Sequence, residues 1–402
     1  MRIHYFSSST LISDSANSVH VMKMAEALAS LGHNVTLHAL QGDEACAEDV
    51  FDYYSIDRKH RFKLALHNLN SVLVCRFLRV LNAYISGMRI NGLSSLIFGF
   101  FRLRHAENAD LLFSRNLFWL FPLRNKVPFI YEVHAPPATA IHKYLEKKLS
   151  MSKNCYAIVV ISEKLREIYL EIYPEIRKKI IVAHDGAENP KGFNRGHNKR
   201  AKRRVKNVGY VGQLYKGRGI DIIAKVAKEL PDICFHIVGG QPGAIAKLSA
   251  TSPSNMHYHG HRPYKDLSSF YVGFDIVLAP YQREVAVQGN DGDTSRFMSP
   301  LKLFEYMAWG IPIICSNLPV LKEIFSDHAN AILVAPDSAT EWVDAIKNIQ
   351  SNTTLRALLI KNARHDFVHN YTWEIRARRI LETANKNNQS SYNKAASHQE
   401  FF

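Results

Sequence analysis

Two segments carry residue types that could do chemistry. The run Ser299-Pro-Leu-Lys-Leu-Phe-Glu-Tyr-Met-Ala-Trp-Gly310 is almost wholly apolar, and a strand-like Ile311-Pro-Ile-Ile-Cys-Ser316 follows it. Ser299 suits a helix N-cap, Pro300 the first helical position and Gly310 the residue past the end. Glu305 sits in the middle of that run. A carboxylate there is costly unless it is paired or hydrogen-bonded. A ligand's hydroxyl groups would supply the donors, and Lys302, three residues earlier, is the competing partner. The second segment, Gly212-Gln-Leu-Tyr-Lys-Gly-Arg-Gly219, has P-loop glycine spacing but ends without the magnesium-binding hydroxyl. It lies between a strand and a helix, where backbone N–H groups can cradle an anion, and Lys216 and Arg218 add positive charge. The alternative is a tight turn with solvated basic residues. His134 ends the apolar stretch Tyr131-Glu-Val-His134. That places it at a strand's carboxyl end, where open α/β sheets bind ligands, although a lone histidine there is more often structural.

The elements that would position these residues alternate. Arg2–Phe6 reads as a strand, Val19–Leu31 as a helix ending at Gly32, and Asn34–Leu40 as the next strand. Leu111–Phe113, Pro128–Val133 and Ala157–Ile161 follow as short apolar strands separated by helical stretches. This order predicts a parallel sheet with helices on both faces. Residues 191–206 hold eight Lys/Arg and no acid and predict an exposed basic linker. The alternation restarts with Val208–Val211, Ile220–Leu230, Cys234–Val238, Phe274–Pro280, Leu301–Trp309 and Ile311–Cys315. The expected organisation is an N-terminal domain over 1–187, a linker over 188–206 and a C-terminal domain over 207–371. A crossover helix over about 372–386 would pack back on the first domain, ahead of a polar tail over 387–402.

Composition narrows the classes. The chain has 402 residues, 47% hydrophobic and 22% charged, which excludes disordered, collagen-like and disulfide-scaffold chains. Its five cysteines show no Cys-x-x-Cys spacing, which argues against zinc ribbons and predicts a reduced, cytoplasmic setting. The N-terminus lacks the apolar core of a signal peptide, and no apolar stretch is long enough to span a bilayer. No Gly-x-Gly-x-x-Gly follows the first strand, which weighs against a classical dinucleotide dehydrogenase. The formal net charge is +15, but it is concentrated: residues 58–106 hold nine Lys/Arg and no acid, as 191–206 hold eight. The remainder of the chain is close to neutral.

Taken in order, these pieces resemble family-4 glycosyltransferases, retaining enzymes of the GT-B fold. The likeness rests on Ser15-Ala-Asn-Ser-Val-His20, Met24-Ala-Glu-Ala-Leu, Tyr131-Glu-Val-His134, Val160-Ile-Ser162, the Val211–Asp221 loop, the Ser299–Gly310 helix and Tyr371-Thr-Trp373. It covers nearly the whole chain. It implies an α/β protein of two doubly wound Rossmann-like domains facing across a cleft. The nucleotide would sit on the second domain and the acceptor mainly on the first. Glu305 would contact the ribose hydroxyls, and Ser299, Pro300, Leu301 and Lys302 would face the donor's phosphate and sugar. Arg218, or Lys216 in another register, would neutralise the diphosphate beside Gly212. His134, Arg218 and Glu305 are the implied catalytic residues. Asn17, Ser18 and His20 would form an N-domain loop near the donor phosphate or acceptor. Two positions depart from the family pattern. Gln213 stands where an Arg is common, and Phe297 where a first Glu is common, leaving Asp291 or Asp293 as the candidate sugar contact.

The implied activity is hexosyl transfer from a nucleotide-diphosphate sugar to a glycan or lipid-linked acceptor, in cell-surface polysaccharide or lipopolysaccharide synthesis. No cofactor and no metal are expected. The competing readings are a nucleotide-sugar epimerase of the same fold and a basic nucleic-acid-binding protein. No zinc-finger or RNA-recognition motif supports the latter. In 76–89, polar positions recur at helical spacing opposite Phe77, Leu81, Tyr84, Ile85 and Met88. The alternative is an ordinary surface helix whose apolar face packs on the sheet. With the family resemblance, the expectation is that 58–106 docks on an anionic membrane surface, peripheral on the cytoplasmic face of the inner membrane.

Overall fold

The computed structural model describes residues 1–13, 15–42, 50–68, 91–190, 200–201, 203–286 and 292–399. Residues 69–90 of the 58–106 segment, including the whole 76–89 pattern, therefore lie outside the described residues. The chain divides into two compact units. The first comprises Met1–Ile161, Leu165–Ala183 and Arg376–Phe402, and the second Ser162–Lys164 and His184–Ile375.

The first unit is built on seven strands, β1 (Arg2–Leu11), β2 (Asn34–Gln41), β3 (Lys63–His67), β4 (Leu111–Ser114), β5 (Phe129–Val133), β6 (Cys155–Val160) and β7 (Ile180–Val182). Their order is β3-β2-β1-β4-β5-β6-β7, and every pairing is parallel. All residues of β4 and β5 are buried, and these central strands are apolar apart from Ser114 and Glu132. The direction of crossover reverses between β1 and β4, and a doubly wound sheet opens its ligand crevice at the carboxyl ends of such a pair.

The second unit repeats the plan with β8 (Asn207–Val211), β9 (Cys234–Val238), β10 (Met256–Gly260), β11 (Ile276–Ala279), β12 (Ile313–Ser316) and β13 (Ile332–Val334), in the order β10-β9-β8-β11-β12-β13. Alternate residues of its strands fall into two separate cores. Val277, Ala279, Ile313 and Cys315 pack with Leu303, Phe304 and Met307, whereas Ile276, Leu278 and Ile314 pack with Ile222, Val226 and Trp342. Period-two side chains thus bury both faces, as a parallel sheet between helices requires. The reversal here lies between β8 and β11.

Several boundaries differ from the sequence expectation. Helix Ala16–Ser30 begins three residues early, because the Ser15 hydroxyl accepts from the Asn17 N–H and caps it. Asn17, Ser18 and His20 are therefore in its first turns and not in a loop. The end of the expected basic linker is packed. Arg200 donates to the carbonyls of Trp309, Gly310 and Tyr271, and Val205 is buried in the second core. The last helix, Trp373–Gln399, runs through most of the expected polar tail. No helix among the described residues is long and apolar enough to cross a membrane.

Gly219, the N-cap of helix Ile220–Glu229, has φ +76, and a Cβ there would lie 1.9 Å from the Pro280 carbonyl oxygen. Neither backbone can yield cheaply. Gly219→Ala is expected to cost about 2 kcal/mol or more. Thermal denaturation of the variant should show a lower melting temperature than the parent.

Candidate active site

In the second unit the functional side chains gather at the carboxyl ends of β8 and β11. Helix Leu301–Ala308 buries Leu303, Phe304, Tyr306 and Met307, which leaves Lys302 and Glu305 one turn apart on its less buried side. Its last carbonyls are capped by two guanidinium groups. Arg200 donates to Trp309 and Gly310, and Arg364 donates to Ala308. Positive charge at the C-terminus suits the helix dipole. Pro300, and not Ser299, is the N-cap, and it makes no side-chain cap. The Ser299 hydroxyl instead accepts from the Asp185 N–H at 2.8 Å. Leu301 begins the helix and is half-buried.

Lys302 is the exceptional group. Its Nζ is buried without a hydrogen-bond acceptor, 3.8 Å from the Tyr210 ring centre and 5.0 Å from that of Tyr281. Gly212 admits it, since a Cβ at that position would come within 2.8 Å of Nζ. Arg218 lies over the other part of the same aromatic wall, 5.4 Å from the Tyr281 ring centre, and its Nε is also buried and unpartnered. Burial first, and then the Arg218 charge, hold the Lys302 ammonium well below its ordinary pKa, with Glu305 opposing them. Gln213 leaves its Oε1 buried and unpartnered beside this cluster, while its carbonyl accepts from the Tyr210 hydroxyl at 2.7 Å. A lysine with a buried ammonium and a half-buried arginine with a desolvated Nε, set side by side, form a site that favours an anion.

Glu305 is not paired with Lys302. The Tyr271 hydroxyl donates to its Oε2 at 2.5 Å, and the Tyr271 ring stacks on Trp309 at 5.8 Å. On the same helix the Tyr306 hydroxyl accepts from the Val211 N–H at 2.9 Å, tying the helix to the start of the glycine loop. The structure separates the two loop cations. Arg218 is beside Lys302, whereas Lys216 is exposed and 3.5 Å from the equally exposed Glu284. Asp293 does not offer a free carboxylate, because it accepts from the Val285 and Ser295 N–H groups and the Ser295 hydroxyl. Burial works against its ionisation, but these bonds hold its pKa low and fix the loop. Asp291 lies outside the described residues. Phe297 occupies the position of the absent glutamate, and its carbonyl accepts from the Ser162 hydroxyl.

In the first unit, His134 follows β5 and donates through Nε2 to Glu132 Oε1 at 2.6 Å. Glu132 is fully buried and serves as a hub. Arg376 reaches its Oε2 at 3.0 Å, and His20 Nε2 and Arg115 Nε lie 2.8 and 3.6 Å from its Oε1. Burial would raise its pKa, but Arg376 and the other partners hold it well below the usual carboxylate range. Burial, followed by the charge of Arg115, lowers His134 to about 4, so its ring is neutral near pH 7. With Nε2–H committed to the carboxylate, Nδ1 carries the lone pair. Arg115 follows β4, and its buried Nη1 has no hydrogen-bond partner. Ser18 is buried, and its hydroxyl bonds the Ser13 and Ser15 carbonyls. The Asn17 amide donates to Ser9. Both shape the β1–helix connection.

The sequence reading missed Tyr271, Tyr210, Tyr281, Glu132, Arg115 and Arg376. Glu132 and Arg115 left a signal, a charge within or just after an apolar strand. The tyrosines left none, because their partners are distant in sequence.

The chain matches two family models. Residues 18–188 match Glycosyltransferase Family 4 and residues 205–352 match Glycosyl transferases group 1. An uncharacterised 41.2 kDa protein in the cps region of Klebsiella pneumoniae is 23% identical over 286 residues, 64% of this chain and 74% of that protein. Among solved structures, Anabaena HepE in complex with UDP superposes with a TM-score of 0.65 at 12% identity, over 96% of this chain and 100% of that one. The apo form of the lipopolysaccharide outer core galactosyltransferase WaaB gives a TM-score of 0.58 at 11% identity, over 96% and 99%. At these identities the two structures establish the shared GT-B fold.

An anion entering the Lys302 site raises the ammonium's pKa, so binding takes up protons between the free and bound values. Affinity for inorganic pyrophosphate should therefore fall as pH rises through that window. Titration calorimetry in buffers of different ionisation enthalpy should detect the uptake. Lys302→Met should abolish both the uptake and its pH dependence.

Proposed function

Because the chain is a family-4-like glycosyltransferase of the GT-B fold, we propose that it moves a hexosyl group, with retention, from a nucleoside-diphosphate sugar to a glycan or lipid-linked acceptor. The observation that carries this reading is the buried, acceptor-free Lys302 ammonium beside Arg218. As the bond from the anomeric carbon to the diphosphate oxygen breaks, negative charge grows on the leaving phosphate. Preorganised cations in a desolvated pocket stabilise that charge most. Glu305 accepts from the ribose hydroxyls, and Tyr271 holds its carboxylate in place. His134, oriented by Glu132, keeps Nδ1 free of its proton, and its part in the reaction rests on the family resemblance alone. Glu132 is locked by Arg376, and Asp293 by its own loop, so neither serves as a nucleophile toward the sugar. That argues against a covalent glycosyl-enzyme on either carboxylate; retention itself rests on the family resemblance alone.

The UDP held by HepE makes UDP-sugars the first donors to test, and the cps-region relative and WaaB favour cell-surface polysaccharide or lipopolysaccharide as the product class. Screening UDP-, GDP- and ADP-sugars for acceptor-dependent release of the nucleoside diphosphate tests the reading. Lys302→Gln should lower kcat/KM by roughly 10²–10³-fold. Glu305→Ala should sharply weaken donor use, and unchanged donor affinity and turnover would remove its assignment.

Tyr271→Phe deletes one hydrogen bond to a carboxylate and should raise donor KM by about 10-fold or more. With a donor lacking both ribose hydroxyls, variant and parent should converge. A merely structural loss would persist with that donor.

A further inference from the structure

Ile141, Met151 and Tyr144 are the most exposed large apolar side chains among the described residues, at 70%, 63% and 59%. All belong to one short stretch of the first unit, helix Ala140–Ser150 and its C-cap Met151. With Lys148 they occupy positions 141, 144, 148 and 151, a spacing of three and four residues that marks a single helix face. Lys148 lies over the Tyr144 ring, its Nζ 5.6 Å from the centre. Lys143 and Lys147 flank this face and are exposed.

The opposite side explains why that face points outward. Glu146 is the only acid between residues 133 and 162, and it is buried. Its carboxylate accepts from the hydroxyls of Tyr131, Tyr169 and Tyr173 at 2.9–3.1 Å. The Tyr173 hydroxyl, with its one proton, lies equally close to the Lys143 carbonyl at 3.0 Å, and Lys179 donates to the Ser150 carbonyl. The helix cannot roll without breaking these bonds, so its single negative charge is withdrawn from the surface and its apolar residues stay in solvent among lysines. A C-terminal dipole accounts for Lys147 and Lys148, but not for Lys143 or for the apolar exposure.

We propose that this face is a docking surface for an anionic lipid bilayer. Lysines ringing exposed Ile, Tyr and Met side chains match a negatively charged headgroup layer over an apolar interior. The helix is linked to helix Asn91–Arg102 through Phe118 and Trp119. The His142 ring meets Phe118 at 6.0 Å, and Gly99 of helix Asn91–Arg102 packs on the backbone of Phe118 and Trp119. That helix exposes Phe100 at 54%.

Co-flotation of the full chain with vesicles tests the proposal. The chain should float with phosphatidylglycerol/phosphatidylcholine vesicles at low salt. It should float much less at high salt, and not with phosphatidylcholine alone. K143E/K147E/K148E should lose most flotation. I141S/Y144S/M151S should lose it while keeping the parent's melting temperature, since all three side chains are exposed. The charge-matched K225E/K228E/K247E, on exposed lysines of the second unit, should float like the parent. Equal flotation of the first two variants, or equal loss in the third, overturns the assignment. So does binding of a polyanionic polysaccharide or polynucleotide without vesicles, or a concentration-dependent dimer dissolved by I141S/Y144S/M151S. Flotation is read without donor, so its failure leaves the transferase reading untouched.

Discussion

An ammonium group buried without an acceptor is the constraint around which the second unit is arranged. A desolvated, unpaired charge is costly, and the Arg218 guanidinium beside Lys302 adds repulsion. Aromatic faces moderate that cost, because the negative π surfaces of Tyr210 and Tyr281 lie against the cations. Other features serve the same placement. Gly212 leaves room for Nζ, Tyr306 ties the helix to the glycine loop, and Arg200 and Arg364 cap the helix at its far end. The unit holds this arrangement through packing elsewhere, with both faces of its sheet buried. A pocket left electrostatically incomplete in this way is suited to a charge that grows during a reaction.

The first unit solves the inverse problem. Glu132 is a buried carboxylate in a wholly buried strand, and it is compensated by two guanidinium groups and two imidazoles. Removing one partner of such a cluster leaves an uncompensated charge and costs about 3–5 kcal/mol. Part of that cost is offset by orientation. Glu132 fixes which nitrogen of His134 carries the proton, and holds Arg115 at the carboxyl end of β4. Arg376 comes from the final helix, so the end of the chain stabilises a residue in the middle of the first sheet.

Glu146 illustrates a third use of a buried carboxylate. Three tyrosine hydroxyls satisfy it and set the roll of helix Ala140–Ser150. The outward face is then determined by internal hydrogen bonds and not by its own hydrophobicity, which would favour burial. In all three cases a buried charged group decides where a neighbouring, more accessible group points.

How much of this was legible in the sequence follows from range. Strand and helix periods, the glycine loop and the apolar helix around Glu305 are local patterns, set by backbone geometry over a few residues. They predicted two parallel α/β units and the resemblance that the family matches support. Partner choice is not local. Tyr271 meets Glu305 across 34 residues and Arg376 meets Glu132 across 244. Nothing near Lys216 or Arg218 said which of them would lie beside Lys302. Asp293 read as a candidate sugar ligand because its loop bonds depend on a turn that local composition did not specify. Residues 200–206 read as a solvated linker because their charge suggested water, whereas Arg200 is used on carbonyls of Tyr271, Trp309 and Gly310. The sequence by itself determined the elements and the kinds of charge available. The tertiary structure decided which charges are paired and which are left waiting, because burial and long-range hydrogen bonds exist only once the chain has folded.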